Sequence, residues 1–196
     1  MKPTIRDVAK EAGVSPSTVS RVLTKSAYVA EDKEKRVLEA IEKLNFRPNV
    51  VARSLRLKTT NTVGLLIPDI TNPFFPEVAK GVEDVAHEKG YNIMLCNTEN
   101  DDKKEKNYVE LLKGRQVDGL IIAKAGEEFK HLQETIKSGV PISFIDRPVD
   151  VSGADQIISD NIQGMKLAVE KLYSLGHTKI GLISGPQDLH IVNERN

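Results

Sequence analysis

A chain of 196 residues that is 39% hydrophobic and 29% charged has the composition of a folded soluble protein, not of a disordered one, and is long enough for a small domain beside a larger one. No apolar run reaches the length of a membrane span, the start MKPTIRDV has no secretory apolar region, and the single cysteine, Cys96, excludes an internal disulfide, which together argue for a reducing, cytoplasmic setting without a membrane partner. Net charge is zero, yet residues 1–60 hold 13 Lys+Arg against 7 Asp+Glu and the remainder 15 against 21, so a basic head precedes an acidic body.

The head reads as helices alone. Thr4 and Asp7 form a capping-box pattern ahead of Val8, Ala9 and Ala12, and Gly13 supplies the positive φ that ends the helix. Ser15 then stands at an N-cap position with Pro16 at the first helical position, and Val19, Val22 and Leu23 give this second helix a buried side. A third helix, roughly 31–44, places Val37, Ile41 and Leu44 on one stripe. Pro48-Asn49 breaks the chain and opens a short segment, VVARSLRL.

From residue 62 the pattern changes to apolar runs at 63–68, 91–97, 118–123, 141–145, 156–159 and 179–184, with amphipathic stretches between most of them. One of these, FPEVAKGVEDVAHEKG, points Val78, Val82 and Val85 inward by its spacing. Strands apolar on both sides, alternating with helices, predict an open parallel α/β sheet. The organisation expected is thus a headpiece at 1–47, a connecting segment at 48–60 and an α/β core at 61–196.

Two features of the head suit DNA. A tight glycine turn followed by a capped helix is the geometry of a helix–turn–helix, whose second helix presents its first turns to base edges. Pro16, Ser17, Thr18, Ser20 and Arg21 populate that second helix, and Ser17 and Arg21 share a face, so that Arg21 is placed to meet guanine. The competing reading is an ordinary helical hairpin with a solvated polar side.

The stretches TIRDVAKEAGVSPSTVSRVL and RPNVVARSLRLKTTNTVGLLIPDITNPFF resemble the lac repressor family of bacterial transcription regulators. The resemblance implies an all-α helix–turn–helix headpiece and an α/β periplasmic-binding-protein-like core, of which this sequence carries the first lobe and the start of the second. It also implies a dimeric repressor that binds operator DNA through Thr4, Ser15, Pro16, Ser17, Thr18, Ser20 and Arg21. VVARSLRL becomes a hinge, with Asn49, Ala52, Arg53 and Arg56 near the DNA backbone or groove and Leu55 inserted into the minor groove. Eight residues are too few for a stable isolated helix, and an apolar wedge between arginines suits intercalation. Without the resemblance, Leu55 reads as a linker residue packing on the next domain.

In the core, Asn72, Phe74 and Phe75 follow the first strand and Asp146-Arg147 the fourth, at the edge where an open α/β sheet presents its ligand crevice. Phenyl rings stacking on a sugar, with carboxylate, guanidinium and amide on its hydroxyls, is one reading. The other makes Phe74 a core residue and Asp146-Arg147 a surface ion pair. NPFF, FIDRP, SDNIQG and NERN are similar to ribose operon repressors, and this likeness implies a ribose-like effector held by Asn72, Phe74, Phe75, Asp146, Arg147 and Arg195. Asp160 matches a position that is either structural or in the cleft. In that family the core runs well beyond Asn196, so the residues that close the cleft from the far side are not in this sequence. Alternatives within the class sense another sugar or use a phosphorylated carrier protein as corepressor; outside it stands a sugar-binding module without regulation.

Enzyme motifs are missing. There is no phosphate loop, no dinucleotide fingerprint, no nucleophile elbow and no histidine pair at metal spacing, so no catalytic residue, cofactor or metal is expected. His87, His131, His177 and His190 read as exposed helix or loop residues.

Overall fold

The computed structural model describes residues 3–24, 26–47, 59–185 and 190–196. Two compact units divide the chain, Met1–Lys58 and Thr59–Asn196.

The first unit contains α1 (Ile5–Ala12), α2 (Pro16–Thr24) and α3 (Glu31–Lys43). Thr4 caps α1 in a full capping box: its hydroxyl accepts from the Asp7 amide, and the Asp7 carboxylate accepts from the Thr4 amide at 2.8 Å. Gly13 closes α1 at φ 63°, a left-handed conformation that a side chain resists, and its amide returns to the α1 carbonyls. Val8, Ala9, Ala12, Val19, Val22, Val37 and Ala40 form one buried cluster, with Leu23, Ile41 and Leu44 partly buried around it. Helices of 8 and 9 residues are too short to hold alone, so this shared core is what keeps them folded.

The second unit is built on β1 (Thr62–Ile67), α4 (Phe74–Glu88), β2 (Asn92–Asn97), α5 (Asp102–Gly114), β3 (Gly119–Ile122), α6 (Lys130–Lys137), β4 (Ile142–Ile145), β5 (Asp155–Ile157), α7 (Asn161–Ser174) and α8 (His190–Arg195). The strands pair in the order β2-β1-β3-β4-β5, all parallel. One side of the sheet packs Leu66, Leu120, Ile122 and Phe144 against Val109 and Leu112 of α5 and Leu132 of α6. The other side packs Leu65, Ile67, Ala123 and Ile145 against Phe75, Val78 and Val82 of α4. Period-two alternation along β3 therefore feeds both layers.

Two expectations fail in the core. The run at 179–184 is not a strand: it pairs with no strand among the described residues, and Ile180, Leu182 and Ile183 are exposed, Ile183 fully. A parallel strand exists only through a neighbour's ladder, and apolar composition alone does not supply one. Leu167 and Leu172 of α7, and Leu175 just past its end, are exposed as well. Val85 does not face inward but stands 51% exposed on α4.

The start of the second unit is tied down at one carboxylate. Asp118, just before β3, accepts from the Thr59 hydroxyl, from the Thr60 amide at 2.9 Å and from the Asn61 amide at 2.8 Å. Burial pushes the Asp118 pKa up, but these hydrogen bonds outweigh it and hold the group below the ordinary value of 3.8. A depressed carboxylate stabilises the fold above its unfolded-state value and loses that contribution as pH falls through its native one. Asp118→Ala is therefore expected to lower stability in urea by about 1–3 kcal/mol near neutral pH. The gap between variant and wild type should close as the pH is taken below 3.8; a gap that widens in acid would contradict the assignment.

Candidate functional site

In the headpiece the expected contact residues gather at the start of α2. The Ser15 hydroxyl lies 3.2 Å from the Thr18 amide, 2.7 Å from the Ser17 hydroxyl and 2.9 Å from that of Thr18. The cap thus organises a three-hydroxyl cluster at the positive end of the α2 dipole, where anionic groups are favoured. Pro16, Ser17 and Arg21 are exposed, Thr18 and Ser20 half-buried, while Val19 and Val22 turn to the core. Thr4 is exposed at the N-terminus of α1 and spends its hydroxyl on the capping box. The expected hinge contacts Asn49, Ala52, Arg53, Leu55 and Arg56 lie outside the described residues.

In the core, the strand order reverses between β1 and β3, the place where an open α/β sheet presents a ligand crevice beyond its strand C-termini. The β1–α4 loop lines one side. There the Asn72 side chain accepts from the Phe74 amide at 3.1 Å, and Asp69 accepts from the Thr71 amide and hydroxyl at 2.8 and 2.7 Å. The hydroxyl bond from Thr71 is the main reason the Asp69 carboxyl titrates below its ordinary range. Phe74 and Phe75 stand edge to face with centroids 5.1 Å apart, but they part in role. Phe74 is 44% exposed, whereas Phe75 is 3% exposed in the core against Leu65 and Ile67.

Asp146 and Arg147 sit at the end of β4. Asp146 adopts φ 65°, and its amide still reaches the Ile157 carbonyl of β5 at 3.0 Å. Burial raises its pKa, with the Arg147 and Arg195 charges pulling the other way. The Arg147 Nε stands 3.9 Å from the Asp146 carboxylate, beyond hydrogen-bond reach. Its Nη1 instead donates to the carbonyls of Lys124 and Ala125, at 2.8 and 2.6 Å, and its Nη2 to Asn100 Oδ1 at 2.9 Å. The guanidinium thus binds three crevice-edge acceptors contributed by the loops after β2 and β3.

Asp160 and Arg195 meet different partners. Asp160 is exposed and caps α7 by accepting from the Gln163 amide at 2.9 Å. Arg195 donates its Nε to Asn161 Oδ1 at 2.7 Å, and the Asn161 amide reaches Glu194 Oε2 at 2.9 Å.

One group escaped the sequence. His131 is not exposed but 7% accessible, with Nε2 3.0 Å from Oε1 of the fully buried Glu105. Periodicity offered no signal, because a charged residue on an amphipathic helix reads as solvated. Among the described residues no group of His, Cys, Asp and Glu is arranged to hold a metal ion, and no helix is long and apolar enough to cross a membrane.

Residues 60–196 match the family of periplasmic binding proteins and sugar binding domains of the LacI family, and residues 4–49 match the bacterial regulatory proteins of the lacI family. The chain belongs to the LacI family. It is 45% identical over 192 residues to a ribose operon repressor of Halalkalibacterium halodurans, an overlap of 98% of this chain and 57% of that one. It is also 42% identical over 193 residues to the HTH-type transcriptional repressor PurR of Aliivibrio salmonicida, covering 98% and 58%. Among solved structures, a lac repressor dimer bound to operator and the anti-inducer ONPF superposes with TM-score 0.84 at 28% identity, over 100% of this chain and 59% of that one. A LacI-type regulator from Alkaliphilus metalliredigens complexed with D-xylulofuranose gives 0.62 at 34% identity, over 69% and 49%. The chain therefore spans about half to three-fifths of the length of these proteins.

The Arg147 contacts carry a structural cost that the sequence did not show. Arg147→Ala strands two carbonyls that otherwise accept a charged donor, and is expected to destabilise the core by about 2–4 kcal/mol. Chemical denaturation measures it; a variant as stable as wild type would show that the guanidinium is not held as described.

Proposed function

We propose that the chain is the DNA-binding and first effector-binding part of a cytoplasmic, homodimeric transcription repressor of a sugar-utilisation operon, with a pentose such as ribose as effector. The observation that carries the DNA-binding half is the start of α2. A capped helix shows a hydroxyl cluster and Arg21 on one exposed side, with its apolar side locked into the headpiece core. Such a helix approaches the major groove closely because its first turns carry only small side chains, and Arg21 extends to the bases from the next turn. The basic balance of residues 1–60 supplies the attraction to phosphates. The dimer reading rests on family membership and on the lac repressor dimer that the chain resembles.

The pentose reading is supported by the ribose operon repressor relatives and by the crevice. Phe74 offers an exposed ring after β1, and Asp146 and Arg147 place a carboxylate and a guanidinium after β4, so hydroxyls would find both acceptor and donors at this edge. Asn72 stands on the loop that carries Phe74. Phe75 acts here from below, by packing under that loop. Asp160 serves as a helix cap, and Arg195 orders Asn161 beside the buried end of Asp146. The similarity to PurR at nearly the same identity favours a second reading, in which the same crevice takes a different small molecule.

Arg21→Ala is expected to cost about 1–3 kcal/mol of binding to a cognate operator while random DNA loses far less. Fluorescence anisotropy on both DNAs measures it. Equal losses would make Arg21 a phosphate contact, and no loss on either would remove α2 from the interface.

A further inference from the structure

Glu105 lies on α5, 0% exposed, on the side of the helix that also buries Val109 and Leu112. A carboxyl group is costly in such a place unless its oxygens are hydrogen-bonded, and an apolar side chain would fill the space more simply, as Val109 and Leu112 do on the same helix. Its two oxygens are both engaged. Oε2 accepts the Ala125 amide at 2.7 Å, and Oε1 stands 3.0 Å from His131 Nε2 on α6.

Ala125 is also the residue whose carbonyl takes Arg147 Nη1 at 2.6 Å, next to the Lys124 carbonyl at 2.8 Å. The amide and carbonyl of one residue thus link a buried acid to the guanidinium at the crevice edge. The adjoining backbone has little room to yield, since a Cβ on Gly126 would stand 2.4 Å from Asp102 Oδ2. Asn100, from the β2–α5 loop, holds Nη2 on the other side.

We propose that Glu105 is a positioning residue for the effector site, acting through Ala125 to set where the Arg147 guanidinium stands. The proposal rests on the reading of Arg147 as an effector contact. Glu105 touches no effector; it fixes the β3–α6 loop from below, with His131 fixing Glu105, so that the carbonyls of Lys124 and Ala125 orient Arg147 toward a hydroxyl-bearing ligand. Preorganisation of this kind shows in affinity, because a guanidinium left to wander must be ordered when the ligand arrives.

The test compares Glu105→Ala, Glu105→Gln, Glu105→Met and Arg147→Ala in the full-length protein, with ribose titrated by calorimetry and folding followed by circular dichroism. Arg147→Ala is expected to abolish measurable binding. Glu105→Ala should weaken ribose about tenfold, the scale of one misplaced hydrogen-bonding group. Glu105→Gln should return to near wild-type affinity, because its amide offers an oxygen to the Ala125 amide and an N–H to His131. Where the alanine variant does not fold, Glu105→Met keeps the volume and should show the same loss. Wild-type affinity in the folded alanine or methionine variant, alongside a dead Arg147→Ala, overturns the positioning role and leaves the sugar reading intact. A Glu105→Gln variant as weak as Glu105→Ala also overturns it, since charge and not geometry would then matter. Unchanged ribose binding in Arg147→Ala removes the sugar reading of that residue and the inference with it.

Discussion

A parallel sheet stops its ladder abruptly at the C-terminal ends of its strands, and everything at the core's candidate site follows from how those ends are satisfied. Past the last ladder bond, backbone groups need other partners. The chain supplies them with side chains: Thr98 to the Ile67 carbonyl, Asn97 to the Ile70 amide, Arg147 to the Lys124 and Ala125 carbonyls, Glu105 to the Ala125 amide. The edge is polar because the strands end there. The reversal of strand order between β1 and β3 sends neighbouring connections to opposite sides of the sheet, the arrangement at which such sheets take their ligands.

The headpiece follows a different logic. Its helices are short, its core is a handful of Val and Ala side chains, and its geometry is set at two points, the Gly13 turn and the Ser15 cap. Small buried residues let α1, α2 and α3 approach closely, and the cap gathers hydroxyls at one helix end. The lone long exposed cation of α2 is Arg21, whereas α3 carries several charges of both signs, among them the Arg36–Asp32 pair. A surface so sparse in large side chains leaves room for close approach, as the proposed entry of α2 into a DNA groove requires.

Much of this was legible in the sequence, and the misses have physical causes. Five of the apolar runs are strands because each has a parallel neighbour; the run at 179–184 has the same composition and none, so it is no strand. The α1 capping box and the Gly13 turn were readable because capping depends on chemistry within a few residues. Phe74 and Phe75 are adjacent and identical by letter, and only the direction of α4 against the sheet sends one ring outward and the other into the core. Arg147 was visible as a charge at a strand end, but its acceptors come from 22, 23 and 47 residues away. Glu105 and His131 were invisible for the same reason: a buried polar pair is defined by partners 20 and 26 residues apart, which no local pattern encodes.

In the function proposed above, the start of α2 meets DNA and the C-terminal edge of the sheet meets a sugar. Hydrogen–deuterium exchange of the full-length protein with and without ribose, and with and without operator DNA, tests it most directly. Ribose should slow exchange at residues 69–75, 124–126 and 146–147, and operator should slow it at 15–21. Ribose protection confined to other segments, or operator protection that spares α2, would contradict the claim.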